Sequence, residues 1–115
     1  MEVHRKALKI YQRENGDLPF VRWMKGLRDV RGKQAIEARL ARVRLGNLGD
    51  HRPVGDGVSE LRLFIGPGYR VYIGLEGDAV VILLCGGDKG SQDGDIETAK
   101  AFWKDYQRSK AYENG

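Results

Sequence analysis

Arg62, Arg70 and Lys89 are the residues whose types and spacing suit chemistry on an anion, with the aromatics Phe64, Tyr69 and Tyr72 close by in the chain. Leu61, Leu63 and Ile65 alternate with Glu60, Arg62 and Phe64. Tyr69, Val71, Ile73 and Leu75 alternate with Arg70, Tyr72 and Gly74. Both runs read as strands, and Gly66-Pro67-Gly68 between them reads as a tight turn. With that turn as the hairpin end, Ile65 faces Tyr69, Leu63 faces Val71 and Leu61 faces Ile73. A slip of one residue would set apolar side chains against polar ones throughout. In this register Arg62 and Arg70 are diagonal neighbours, roughly 7–8 Å apart, on the face away from the helical core. A second turn at Glu76-Gly77-Asp78 brings Cys85 beside Tyr69, so Lys89 emerges at the same sheet end as Arg70. Two guanidinium groups, an ammonium and three aromatic rings on one face fit a phosphate backbone with stacked bases. The competing arrangement has Glu60 or Asp88 neutralising the arginines while Tyr72 covers their stems.

These residues need elements to hold them. Leu8 and Ile10 alternate with Lys9 and Tyr11, which predicts a first strand within residues 3–13, near a sheet edge because of its lysines. Asp17 can cap a short helix carrying Pro19 in its first turn and the apolar stripe Phe20, Trp23, Met24 and Leu27. A second helix runs from about Asp29 to Leu45, burying Ile36, Leu40 and Val43 and leaving Arg39, Arg42 and other basic residues on its remaining faces. The short connection makes the two an αα-hairpin. Residues 49–57, punctuated by Gly49, Pro53, Gly55 and Gly57, read as loop. Ala79–Cys85 is apolar throughout and reads as a central strand covered on both faces, ended by Gly86 and Gly87. A last helix starts near Gln92, with Ile96, Ala99, Trp103 and Tyr106 on one stripe, and residues 111–115 form a frayed tail. The expected fold is α+β in the order β-α-α-β-β-β-α, a helical hairpin packed on a small twisted, mainly antiparallel sheet.

At 115 residues the chain makes one domain, residues 1–115. One cysteine excludes an intrachain disulfide and a cysteine-based zinc site, and two histidines exclude a histidine-rich metal centre. No apolar run approaches the ~20 residues of a membrane span. Met1–Lys6 lacks the apolar core of a secretory signal, so the expected compartment is the cytoplasm. Residues 1–52 hold 13 Lys and Arg against 6 Asp and Glu, a basic half that favours an anionic partner such as nucleic acid or the ribosome. Cys85 reads as a buried small hydrophobe and His51 as a solvated loop residue. Gly86-Gly87 is too little to make a phosphate-cradling loop.

Several segments carry a family resemblance. They are Leu48-Gly49-Asp50, Pro53-Val54-Gly55, Gly57-Val58-Ser59-Glu60-Leu61-Arg62, Gly66-Pro67-Gly68-Tyr69-Arg70-Val71-Tyr72 and Leu83-Leu84-Cys85-Gly86-Gly87-Asp88-Lys89, followed by Gln92, Asp95, Ile96 and Ala99. Together they resemble the RelE/ParE toxin superfamily, and within it the phage-derived, HigB-like addiction module killer proteins. The resemblance implies the toxin of a type II toxin–antitoxin system, held inactive by a cognate antitoxin, often one with a helix-turn-helix domain. It implies either a ribosome-dependent mRNA endonuclease or a non-catalytic DNA gyrase inhibitor, and no metal or organic cofactor for either. A family member that binds nucleic acid or antitoxin without toxicity is the third alternative.

For the nuclease, the resemblance matches Arg70 to an arginine on the scissile phosphate, and Arg62 and Lys89 to nearby basic positions; the chemistry then expects Arg70 to stabilise the phosphorane, Arg62 to position the phosphate, and Lys89 or Tyr72 to assist proton transfer to the leaving oxygen. The RNA-binding set is then Arg62, Phe64, Tyr69, Arg70 and Lys89, with Arg39 and Arg42 of the basic helix. Three positions depart from the family pattern. Glu60 stands near a lysine position, Ile96 stands near a tyrosine position, and no histidine follows the last strand.

Overall fold

Alternating apolar residues build the centre of the molecule. The computed structural model describes residues 5–114, and the side chains of residues 5–111. Within them one sheet has five strands: β1 (Ala7–Ile10), β2 (His51–Gly55), β3 (Val58–Arg62), β4 (Tyr69–Glu76) and β5 (Val80–Asp88). Their spatial order is β1-β5-β4-β3-β2. β1 runs parallel to β5, and the other pairings are antiparallel. The described residues also form three α-helices: α1 (Pro19–Gly26), α2 (Val30–Arg44) and α3 (Gln92–Asn114). A 3-10 turn at Lys89–Ser91 leads from β5 into α3. The protein is α+β with a mixed, mainly antiparallel sheet.

Each face of the sheet has its own core. Leu61, Val71, Ile73, Val81 and Leu83 pack with Phe20 of α1 and with Ile36 and Val43 of α2. On the other face Val58, Tyr72, Ile82 and Leu84 pack with Ala99 and Trp103 of α3. β5 therefore contributes apolar side chains to both layers, as a central strand must. Two glycines let tryptophans lie flat on the strands: Trp23 covers Gly86 on one face and Trp103 covers Gly74 on the other. The Asp29 side chain accepts the Gly32 amide at 3.0 Å and so caps α2.

Several expectations change. Residues 51–55 are not loop but the edge strand β2, so the order is β-α-α-β-β-β-β-α. Pro53 is tolerated there because the strand has a free side, and the pairing shifts register between Pro53 and Gly55. β5 does not stop at Cys85 but continues through Gly86 and Gly87 to Asp88. The β3–β4 hairpin closes two residues further from the turn than the three-residue loop required. Leu61 pairs with Val71 and Arg62 with Arg70. The Leu63 amide donates to the Tyr69 carbonyl at 2.9 Å, and the Gly68 amide donates to that of Ile65 at 3.0 Å, closing a loop over Leu63–Gly68. An even shift leaves the side chains of β3 and β4 on their expected faces. The β4–β5 pairing departs further: the register breaks between Tyr72 and Ile73, so Cys85 lies beside Tyr72 on the α3 face rather than beside Tyr69, which pairs with Asp88.

Asp17 does not cap α1, whose N-cap position is Leu18; its carboxylate binds Arg22 instead. α3 continues through Asn114 rather than fraying from residue 111. The first strand is confined to Ala7–Ile10; Val3 and His4, which the expected strand included, and Gly115 lie outside the described residues.

Candidate functional site

The corrected register lays two rows across the α3 side of the sheet. One row runs Arg52–Glu60–Tyr72–Cys85 through β2, β3, β4 and β5. The next, nearer the Leu63–Gly68 loop, runs Arg62–Arg70–Gly87. Arg62 and Arg70 are therefore directly opposed, not diagonal. Like charges at opposed positions destabilise a sheet pair, so their compensation has to come from neighbours.

Arg62 donates from Nη2 to Asp50 Oδ1 at 3.0 Å, and its guanidinium carbon lies 5.7 Å from the centre of the Phe64 ring. Phe64 is 78% exposed, projecting from the hairpin loop. Arg70 is only 7% exposed. Its Nη1 donates to its own neighbour's carbonyl, Gly68 O, at 2.7 Å. The Nε atoms of both arginines are buried and have no hydrogen-bond partner. Lys89 is exposed at the start of the 3-10 turn. A side chain on Gly68 would press on both Arg70 Nη1 and Lys89 Cβ, which places the lysine beside Arg70. Gly68 also has a φ of +82°, so both space and backbone call for glycine there.

Behind the arginines sits Glu60, wholly buried. Its Oε1 accepts Arg52 Nε at 3.2 Å. Its Oε2 accepts the Tyr72 hydroxyl at 3.0 Å and Gln92 Nε2 at 2.9 Å. Arg70 Nε stands 3.9 Å from the same oxygen, in ion-pair range but beyond a hydrogen bond. A buried carboxylate needs partners of this kind to remain charged. Glu60, Arg52 and Gln92 are the members that sequence reasoning did not assign to the site. The available signal was the shared face of Val58, Glu60 and Arg62, which sets a carboxylate next to Arg62 along the strand; the pairing of Glu60 with Tyr72 belongs to the observed register.

The structure thus gathers Arg62, Arg70, Lys89 and Phe64 at one sheet end, and separates the other expected members from them. Tyr72 shares their face but is sealed beneath it, and burial followed by the Glu60 charge pushes its phenol well above the ordinary value. It has no surface on which to exchange a proton with a bound strand. Tyr69 points to the opposite face, packs edge-on to Trp23 and donates its hydroxyl to Asp29 Oδ2 at 2.9 Å.

Arg39 is also buried. It donates to the carbonyls of Leu48 at 2.9 Å, Arg62 at 3.0 Å and Asp50. It is a clamp that ties α2 to the start of β2 and the end of β3, and burial lowers its pKa. Arg42 is exposed in the last turn of α2, across the sheet from Arg70. His51 is exposed on β2 opposite Leu61, on the α2 side, with Nδ1 2.8 Å from Gly49 O. Cys85 is buried, and desolvation raises its thiol pKa to about 12. Among the described residues no group of three or more His, Cys, Asp and Glu side chains is placed to hold a metal ion, and no helix is long and apolar enough to cross a membrane.

The assembled groups can hold an oxyanion between two arginines and a lysine, with an aromatic ring alongside for an unpaired base. No protein-family model and no solved structure matches the chain. An uncharacterized protein of Haemophilus influenzae is 49% identical to it over 83 residues, which is 72% of this chain and 84% of that protein.

Proposed function

We propose that this chain, which belongs to the same family as the Haemophilus influenzae protein, is the toxin of a type II toxin–antitoxin pair with a RelE/ParE-like fold, cleaving mRNA on the ribosome. The observation that carries the reading is the opposed pair Arg62 and Arg70, each with an unpartnered buried Nε, beside the exposed Lys89 and Phe64. The sequence resemblance to that superfamily supplies the reaction class.

In that reaction the ribose 2′-hydroxyl gives up its proton to solvent water as its oxygen attacks the adjacent phosphorus, and the P–O5′ bond breaks with O5′ taking a proton from the protein, leaving a 2′,3′-cyclic phosphate and a free 5′-hydroxyl. The intermediate phosphorane carries added negative charge, which a planar guanidinium stabilises through paired N–H groups. Arg70 takes this role, and Arg62, braced on Asp50, positions the phosphate. Lys89 replaces Tyr72 as the proton donor to the leaving 5′-oxygen, because Tyr72 is sealed under Glu60. Phe64 stacks a neighbouring base. The anionic-strand reading also calls for a partner, the antitoxin, that covers this sheet end when the toxin is silent.

A second reading has specific support: Ile96 is apolar and packs in the core under α3, and no histidine follows β5. The site then lacks a general base, as in a non-catalytic inhibitor of DNA gyrase. Induction of the chain without its antitoxin, followed by primer extension on cellular mRNA, separates the two. The nuclease gives discrete cuts in translated frames and Arg70→Ala abolishes them. Intact mRNA with DNA damage assigns gyrase, and growth arrest unchanged by Arg70→Ala removes Arg70 from the mechanism.

A further inference from the structure

We infer that Gln92 and Tyr72 are positioning residues for Arg70: by occupying Glu60 Oε2 they keep the Arg70 guanidinium from closing onto that carboxylate, and so leave it free for a phosphate oxygen. The inference rests on the reading of Arg70 as a phosphate-binding group.

A buried arginine beside a buried carboxylate ordinarily closes to a short, often bidentate contact at about 2.7–2.9 Å. Here Arg70 Nε stops at 3.9 Å and has no hydrogen-bond partner. The reason lies in what fills the carboxylate. One carboxylate oxygen offers about two lone-pair positions, and on Oε2 they are taken by two neutral donors, the Tyr72 hydroxyl at 3.0 Å and Gln92 Nε2 at 2.9 Å. Oε1 is engaged by Arg52.

The two donors are held by different elements. Tyr72 is locked in β4, fully buried in the row between Glu60 and Cys85. Gln92 is the first residue of α3, fixed by the 3-10 turn that Asp88 caps through the amides of Gly90 and Ser91. Glu60 thus supplies compensating charge to Arg70 without consuming its hydrogen bonds. Arg70 Nε itself stays sealed and unpartnered, held 3.9 Å short of the carboxylate; what a phosphate meets is the guanidinium tip, kept in place because the group does not close onto Glu60.

The test measures binding of a fluorescein-labelled single-stranded 2′-deoxy oligonucleotide of about ten nucleotides, a probe with no 2′-hydroxyl to be cleaved. Anisotropy titrations use the purified full chain, with thermal melts as the check on folding. Gln92→Leu removes a neutral donor and no charge, yet weakens binding about tenfold or more, the loss of one charge-assisted hydrogen bond. Glu60→Gln in the Gln92→Leu background returns affinity to within about twofold of the parent protein, because no carboxylate remains to capture Arg70. A merely structural Gln92 would not be rescued this way. Tyr72→Phe weakens binding in the same direction and decides the matter if Gln92→Leu does not fold.

Parent-like binding by Gln92→Leu and Tyr72→Phe, together with loss of binding by Arg70→Ala, overturns the inference and leaves the role of Arg70 standing. Failure of Glu60→Gln to rescue also overturns it. Parent-like binding by Arg70→Ala removes the reading on which it rests.

Discussion

Gly74 carries no side chain because Trp103 occupies the space. A Cβ built there would fall well inside van der Waals distance of Cε3 and Cζ3 of the indole, and within 2.7 Å of Cδ2. Trp103 cannot retreat cheaply: it is nearly buried, stacks on Tyr106 at 5.6 Å between ring centres, and packs with Val58, Ile82 and Leu84. Gly74→Ala should therefore force a rigid ring or the central strand to move, which in packed interiors costs about 1–3 kcal/mol. Against this stands the intrinsic gain of Ala over Gly in a strand, about 0.5–1 kcal/mol, since the Gly74 backbone is not in the left-handed region.

The net expectation is a loss of up to about 2 kcal/mol. With a urea slope of about 1–3 kcal/mol per molar for a small domain, a loss of about 2 kcal/mol lowers the midpoint by roughly 0.7–2 M. Equilibrium urea unfolding followed by tryptophan fluorescence and circular dichroism measures it. Gly94→Ala in α3 is the control: a Cβ there meets nothing within 4 Å, so it should be neutral or slightly stabilising. Trp103→Leu should lower stability alone, yet cost less in the Gly74→Ala background, because it removes the obstruction. A Gly74→Ala protein as stable as the parent would refute the packing argument, since relief of glycine's flexibility would then be the whole effect.

Burial, the largest influence on Tyr11, Tyr69 and Tyr72, raises their phenol pKa values. Stability from these groups is complete below the ordinary phenol value of about 10 and falls as pH rises above it, where the unfolded chain ionises first. Ultraviolet titration should show those tyrosines ionising at higher pH in the folded protein than in denaturant; coincident titrations would count against the buried networks. Asp29 titrates with the opposite sign. The Gly32 amide, and after it the Tyr69 hydroxyl, lower its pKa from 3.8. Its contribution is complete above that value and is lost as pH falls through the lower, folded one. Asp29→Asn keeps an N-cap but should flatten the acid limb of melting temperature against pH below about 4; an unchanged limb would exclude the cap as its source.

Patterning in the sequence made the two layers legible because period two decides faces, and faces decide which helices cover them. It could not decide registers that differ by two residues, since both bury the same side chains. That is why Arg62 and Arg70 were expected as diagonal neighbours yet stand opposed. β2 was hidden by Pro53, Gly55 and its charged residues, a composition that suits an edge. Gly86 and Gly87 looked like a strand end because a glycine's reason for being small lies in a distant residue, here Trp23 and Asp95. Arg39 could have been placed correctly: it follows Ile36 by three and precedes Val43 by four, on the buried stripe of α2, where an arginine must find carbonyls. Tyr72 and Glu60 were harder, because alternation assigns a face but not the depth of what lies over it.

β1 has one further consequence. Lys6 and Asp78, which it brings together, are 72 positions apart, and every pairing of β1 is with β5. During synthesis this strand emerges early but has no docking place until most of the chain has been made. Until it docks, β5, apolar from Val80 to Cys85, shows an open row of amides and carbonyls, the kind of margin that recruits other chains. Removing residues through Ile10 would make that interval permanent, and clumping rather than simple loss of stability would follow.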